Sequence, residues 1–88
     1  MQIVVVGLSH RTAPVEVREK LSIPDQSISE SLKTLKSYSD ILEVSILSTC
    51  NRLEIYCLVK DKNIGISSIK EFLSNYSRVN FDDLNPHL

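Results

Sequence analysis

The 88-residue chain is poor in glycine, proline, cysteine and tryptophan, and these shortages exclude several classes of protein. With glycines only at positions 7 and 65, it has no Gly-x-Gly-x-x-Gly loop for binding a dinucleotide. No apolar run approaches the roughly 20 residues of a membrane-spanning helix. Lysine and arginine are not clustered and the formal net charge is -1, which argues against an independent nucleic-acid-binding domain.

The two cysteines, Cys50 and Cys57, fit neither a disulfide nor a metal motif. If they lie along one extended strand, they are about 20 Å apart, too far for a bond between their sulfur atoms. Their spacing matches no Cys-x-x-Cys pattern, and only His10 and His87 are available as further ligands. We therefore predict no metal site and no structural disulfide.

The overall composition is that of one small soluble domain, with 42% hydrophobic and 24% charged residues. An apolar segment begins at residue 3, and no signal-peptide or transit-peptide pattern precedes it. These features predict a cytoplasmic protein without membrane contact, and a mature protein of the plastid stroma would share them.

Three segments carry the hydrophobic patterns of strands. The continuous apolar run over residues 3–8 is typical of a strand covered on both faces. Residues 41–47 and 52–60 alternate between apolar and polar side chains, and the short gap between them predicts an antiparallel hairpin. Cys57 is in phase with the apolar residues of the second segment, so we predict that it is a core residue.

Helical patterns fill the spaces between these strands. Thr12 and Pro14 are typical of a helix start, with Thr12 as the capping residue. A second helix is predicted after Pro24, because its apolar residues recur at helical spacing. A third helix is predicted over residues 66–76. The polar stretch over residues 77–86 is interpreted as a boundary.

The resulting β-α-α-β-β-α order predicts an α+β fold, a ferredoxin-like split βαβ unit with an antiparallel or mixed sheet and its helices on one face. The last strand of that unit is missing, and Leu88 would be its first residue. The strand over residues 3–8 would then lie at an open edge of the sheet. Because an open edge readily pairs with another chain, we expect the isolated piece to self-associate.

The heptad Ser-Thr-Cys-Asn-Arg-Leu-Glu over residues 48–54 lies at the turn of the predicted hairpin. A thiol reacts as its thiolate, which requires partial exposure and nearby positive charge. The turn would expose Cys50, and Arg52 would supply the charge. A free cysteine is more often a small buried hydrophobic residue, so the cysteine alone leaves both interpretations open.

Two blocks of sequence resemble the start of the glutamyl-tRNA reductases: GLSHRTAPVEVRE over residues 7–19 and STCNRLEIY over residues 48–56. The resemblance extends from residue 1 to the end of the chain. It implies an NADPH-dependent oxidoreductase of tetrapyrrole (porphyrin) biosynthesis, which reduces glutamyl-tRNA to glutamate-1-semialdehyde through a cysteine thioester. Residues 1–88 would be the N-terminal portion of the catalytic, substrate-binding domain.

The resemblance also implies roles for individual residues. Cys50 would be the catalytic nucleophile, and Arg52 would bind the side-chain carboxylate of the glutamyl group. Thr49 and Asn51 would contact the substrate beside the attacked carbonyl group. Each role has a structural alternative, namely an ion pair of Arg52 with Glu43 or Glu54 and turn formation by Thr49 and Asn51.

The three residues that follow the first predicted strand are expected to line the floor of the cleft. They are Ser9, His10 and Arg11. His10 is interpreted as forming a structural hydrogen bond rather than acting as a base. His87 is expected to be a surface residue without a partner. No cofactor-binding residue is predicted in this chain.

The resemblance places the NADPH-binding and dimerisation domains outside this chain, so the isolated piece is expected to be inactive. Its partners would be glutamyl-tRNA(Glu) as substrate, a second copy in the full-length homodimer, and glutamate-1-semialdehyde aminomutase. Two alternatives remain from the fold alone: a ferredoxin-like small-molecule-binding regulatory module, and a structural interaction domain without catalysis.

Overall fold

A computed structural model describes residues 1–9, 11–49 and 51–87, without the side chains of Phe81 and Leu84. Three sequence predictions concern residues outside this described part: Cys50 as the nucleophile, His10 as a cleft residue and Leu88 as the start of a further strand.

The described elements follow the predicted order and add a short C-terminal segment. They are β1 (Gln2–Ser9), α1 (Val15–Leu21), α2 (Asp25–Lys36), β2 (Ile41–Ser48), β3 (Arg52–Val59), α3 (Lys62–Ser77), α4 (Phe81–Leu84) and a 3-10 helix (Asn85–His87). The predicted α+β class and β-α-α-β-β-α order are therefore confirmed. The two short helices at the end were not predicted, because this polar stretch was interpreted as a boundary.

The strands form an open antiparallel sheet with the order β1-β3-β2. In the central strand, β3, Arg52 pairs with Ser9 of β1 and Val59 pairs with Gln2. On its other side, Leu53 pairs with Ser48 of β2. The predicted edge position of the first strand is confirmed, while the self-association expected from that edge stays a prediction.

One face of the sheet, here called the inner face, carries the hydrophobic core. The alternating residues of β1 and β3 that point to this face are buried, as the period of two requires. They are Val4, Val6, Leu8, Leu53, Ile55, Cys57 and Val59. The predicted core position of Cys57 is confirmed, since only 1% of its surface is exposed.

The other face, here called the outer face, is open in the described structure. Ile3 and Val5 of β1 point to it and are 77% and 54% exposed. The prediction that this strand is covered on both faces was therefore wrong for the described residues. The continuous apolar run arises because β1 has apolar residues on both faces, while the helices pack only on the inner face.

The three longer helices bury their apolar stripes against the inner face. Leu21 of α1, Leu35 of α2 and Leu73 of α3 are completely buried there. α1 begins after Pro14, which occupies the N-cap position without a side-chain hydrogen bond. The predicted cap by Thr12 was wrong, because the Thr12 hydroxyl oxygen instead accepts a hydrogen bond from the N–H of Ser9 at 2.9 Å.

Candidate functional site

The loop between β2 and β3 is closed by Thr49. Its N–H donates to the carbonyl oxygen of Arg52 at 2.8 Å. Its hydroxyl oxygen accepts hydrogen bonds from the N–H groups of Asn51 at 3.2 Å and of Arg52 at 3.1 Å. Both lone pairs of this oxygen are thus used by the backbone, and its hydroxyl hydrogen donates to the carbonyl oxygen of Arg52 in a long hydrogen bond of 3.4 Å. The turn chemistry that the sequence left open is present at Thr49.

Arg52 begins β3 and is the nearest described cation to position 50 along the chain. Its side chain is 54% exposed, and its Nη1 lies 3.8 Å from Oε1 of Glu54. This distance is too long for a hydrogen bond, and exposed ion pairs contribute only about 0–1 kcal/mol. The pair with Glu54 is one of the two alternatives that the sequence offered. Its weakness leaves the guanidinium group free to bind a stronger partner.

Glu54 is also bound from the other side by a tyrosine. The hydroxyl of Tyr56 donates to Oε1 of Glu54 at 2.6 Å. This hydrogen bond, together with desolvation, raises the pKa of Tyr56. Arg52, Glu54 and Tyr56 alternate along the central strand, so all three lie on the outer face. The alternation over residues 52–60 predicted that these polar side chains share one face, but it did not predict the hydrogen bond that joins Tyr56 to Glu54.

The loop over residues 9–13 lies at the same end of the sheet as the hairpin loop, because Ser9 pairs with Arg52. The carbonyl oxygen of Ser9 accepts from the N–H groups of Thr12 and Ala13, both at 3.0 Å. The N–H of Arg11 donates to the Ser9 hydroxyl oxygen at 3.2 Å. The structure thus brings Ser9 beside Arg52 and leaves Arg11 exposed in the same loop.

A shallow groove on the outer face lies between the loop over residues 9–13 and Glu54 of β3. It has a volume of about 210 Å³ and is lined by Val5, Gly7, Leu8, Ser9, Thr12 and Glu54. Gly7 pairs with Glu54 across the β1–β3 ladder. A Cβ atom at position 7 would overlap the carbonyl oxygen of Leu53, so this position requires glycine for steric reasons. Gly7 and Glu54 thus line the groove together, with no side chain on the glycine.

Two further segments join this end of the sheet. The N–H of Ile23, between α1 and α2, donates to the Ser48 hydroxyl oxygen at 3.1 Å. His87 Nδ1 lies 2.9 Å from the carbonyl oxygen of Thr12. The expectation that His87 has no partner was wrong, because α4 and the 3-10 helix carry it back to the loop over residues 9–13. Both contacts are long-range and have no local sequence signal.

The buried cysteine has different chemistry from that expected at position 50. Burial raises the pKa of the Cys57 thiol from 9.0 to about 11. The thiol therefore stays protonated at neutral pH and is a poor nucleophile. Among the described residues, no three His, Cys, Asp or Glu side chains are grouped closely enough to hold a metal ion. In the same part of the chain, no helix has the length and apolar character needed to cross a membrane.

Comparison with known proteins identifies the family. The family described as "Glutamyl-tRNAGlu reductase, N-terminal domain" matches residues 6–88. The chain is 85% identical over 88 residues to the glutamyl-tRNA reductase of Prochlorococcus marinus strain MIT 9301, and 88% identical to that of strain MIT 9515. It is 64% identical to the glutamyl-tRNA reductase of Synechococcus sp. strain WH7803.

Each of these comparisons covers 100% of the chain but only 20% of the relative, so the chain spans a fifth of the length of these relatives. The two sequence blocks that suggested the family thus lie within a match that extends to residue 88. The chain belongs to the glutamyl-tRNA reductase N-terminal domain family.

Proposed function

We propose that this chain is the N-terminal part of the catalytic domain of a glutamyl-tRNA reductase, and that Cys50 is its nucleophile. The observation that carries the proposal is the match over all 88 residues of the chain to relatives bearing that name. The hairpin supports it, because Thr49 and Arg52 on either side of position 50 are held by backbone hydrogen bonds. A rigid flank is what a positioned nucleophile needs.

In the proposed reaction, the Cys50 thiolate attacks the carbonyl carbon of the ester that joins glutamate to tRNA. A carbon–sulfur bond forms and the carbon–oxygen bond to the tRNA breaks. The tRNA leaves as an alcohol after its oxygen takes up a proton, and the glutamyl group stays on Cys50 as a thioester. A thiolate suits this step because it is strongly nucleophilic near neutral pH.

Arg52 is proposed to bind the side-chain carboxylate of the glutamyl group. Its planar guanidinium can donate two parallel hydrogen bonds to a carboxylate. Its exposure of 54% and its weak pairing with Glu54 support this role. Thr49 is proposed to contact the substrate by turning its hydroxyl hydrogen away from the long 3.4 Å bond to the Arg52 carbonyl oxygen, and Asn51 through its side-chain amide.

The residues of this chain do not fit a nicotinamide cofactor. Its two glycines, Gly7 and Gly65, are packed against Leu53 and Val59, where a Cβ would clash, and neither belongs to a phosphate-binding loop. We therefore assign NADPH to a downstream domain of the complete protein, where the glutamyl group would be reduced to glutamate-1-semialdehyde. The complete protein is further proposed to be a cytoplasmic homodimer that works with glutamate-1-semialdehyde aminomutase.

The decisive experiment is the replacement of Cys50 by serine in the full-length protein. Formation of glutamate-1-semialdehyde from glutamyl-tRNA and NADPH is measured, and we expect turnover to be abolished. The matched control is Cys57→Ala, which removes the other thiol and should leave most activity, because Cys57 is buried in the core. Near-normal turnover of the Cys50→Ser protein would disprove the assignment.

A second candidate function, a small-molecule-binding module without catalysis, is favoured by a groove of about 320 Å³ between α2 and α3, with Tyr38, Phe72 and Tyr76 among its lining residues. The two candidates differ in the expected reactivity of Cys50. An activated thiol reacts with iodoacetamide well below the ordinary thiol pKa of about 8.5, whereas a non-catalytic module needs no such activation. The pH dependence of alkylation therefore separates them.

A further inference from the structure

The 3-10 helix Asn85–His87 connects α3 to the loop over residues 9–13. At one end, Nζ of Lys70 in α3 donates to Oδ1 of Asn85 at 2.7 Å. At the other end, Nδ1 of His87 lies 2.9 Å from the carbonyl oxygen of Thr12. Pro86 stands between the two anchors and restricts the backbone there. The segment is thus held at both ends by side-chain hydrogen bonds.

The hydrogen-bond partner of His87 determines that its Nδ1 atom carries a hydrogen. A carbonyl oxygen only accepts hydrogen bonds, so Nδ1 must carry the hydrogen and donate it. The ring is half-buried in this position. A histidine whose Nδ1–H is held by a backbone carbonyl has a fixed ring orientation.

Two hydrogen bonds between Thr12 and Ser9 link His87 to the rest of the site. Its hydroxyl oxygen accepts from the N–H of Ser9, and its own N–H donates to the carbonyl oxygen of Ser9 at 3.0 Å. Ser9 in turn pairs with Arg52 at the start of β3. A continuous series of contacts therefore runs from His87 through Thr12 and Ser9 to the hairpin loop.

From these contacts we propose that His87 is a positioning residue for the loop over residues 9–13, acting through the carbonyl oxygen of Thr12. The hydrogen bond from Lys70 fixes Asn85, two residues before His87, to α3. The loop presents Ser9 beside Arg52 and carries the exposed Arg11, and its orientation sets the geometry of the proposed substrate cleft. The catalytic consequence rests on the proposed function, whereas the anchoring of the loop does not.

The test compares His87→Leu with His87→Asn in the full-length protein. Leucine has no donor, while the Nδ2 of asparagine can take the place of the histidine Nδ1. For His87→Leu we expect kcat/KM for glutamyl-tRNA to fall about tenfold, the equivalent of one lost hydrogen bond. We expect His87→Asn to restore most of this loss. Lys70→Met should lower kcat/KM less than His87→Leu does, because it removes the hydrogen bond to Asn85, which is farther from the loop.

Amide hydrogen exchange of the peptide that spans residues 9–13 gives a readout independent of catalysis. The N–H groups of Ser9, Thr12 and Ala13 close this loop, so they should exchange about tenfold faster in His87→Leu and at the wild-type rate in His87→Asn. If the wild-type protein made no glutamate-1-semialdehyde, the proposed function would fail, and the exchange rates would still decide whether His87 anchors the loop.

Two results would overturn the inference. In the first, His87→Leu lowers the melting temperature but leaves loop exchange and kcat/KM unchanged, which shows a merely structural role. In the second, His87→Asn is as impaired as His87→Leu, which shows that ring packing, and not the hydrogen bond to Thr12, is what matters.

Discussion

Replacing Gly65 by alanine is expected to destabilise the fold, although alanine is the better helix former. In the interior of an exposed helix, this change stabilises by about 1 kcal/mol. Gly65, however, lies buried in the first turns of α3. A Cβ atom there would lie 2.5 Å from Cγ1, 2.7 Å from Cβ and 2.9 Å from Cγ2 of Val59.

The clash has no inexpensive way to relax. Val59 is completely buried in β3, and its branched side chain is restricted at χ1. All three of its nearby atoms are too close, so rotation exchanges one overlap for another and α3 itself must move. Overpacking of this kind costs about 1–3 kcal/mol, and we expect the upper part of that range. After subtraction of the helix-propensity gain, the net loss is about 1–2 kcal/mol.

The assay is urea unfolding of the 88-residue chain followed by circular dichroism. Ser67→Ala, an exposed position on α3, serves as the control and should be neutral or slightly stabilising. The double variant Val59→Ala/Gly65→Ala should lose less stability than the sum of the two single changes, because Val59→Ala removes the side chain that clashes with a Cβ at position 65. The reasoning is refuted if Gly65→Ala stabilises the protein as it would at an exposed helix position.

Three other perturbations test separate parts of the structure. Gly7→Ala should cost about 2–3 kcal/mol in urea unfolding, because its Cβ would overlap the backbone carbonyl oxygen of Leu53, and wild-type stability would contradict this packing. Thr49→Val should lose about 1 kcal/mol, since two N–H groups lose their acceptor, whereas Thr49→Ser keeps the hydroxyl and should lose less. For Cys57, the raised pKa of about 11 means that the folded state favours the protonated thiol. This contribution, about 3 kcal/mol, is fully present below pH 9, the reference value from which burial raises the pKa of this thiol, and is lost as the pH rises through the folded-state pKa of about 11. The stability difference between wild type and Cys57→Ala should shrink over that interval, and a constant difference would show that Cys57 does not titrate with the fold.

Local patterns predicted the parts of the fold that depend on periodicity. The alternation in β3 placed Cys57 in the core, and the hairpin around position 50 followed from two alternating segments with a short gap. The single-sided burial of β1 could not be predicted in this way. Ile3 and Val5 are as apolar as Val4 and Val6, so the sequence of the strand does not say which face the helices cover.

The capping residue of α1 was also predicted wrongly, because the sequence pattern does not show which hydrogen bond Thr12 forms in the folded loop. Thr12 precedes a helix and has the right side chain, but its hydroxyl has a closer partner in the N–H of Ser9. Pro14 then takes the N-cap position and leaves α1 without a side-chain cap. The competition between two local hydrogen bonds is decided by the turn that brings Ser9 and Thr12 together, which is a property of the folded loop.

The two sequence blocks identify the site at the end of the sheet near Arg52, but they do not predict all the contacts that hold it. β1 ends there, β2 ends there and β3 begins there, because the central strand is antiparallel to both neighbours. The sequence blocks over residues 7–19 and 48–56 therefore meet in space. Besides the hydrogen bonds within the two blocks, contacts from elsewhere in the chain hold them: the N–H of Ile23 donates to the Ser48 hydroxyl oxygen, and Nδ1 of His87, 75 residues after Thr12, donates to its carbonyl oxygen. The reactive geometry proposed for position 50 thus depends on residues that no local pattern connects to it.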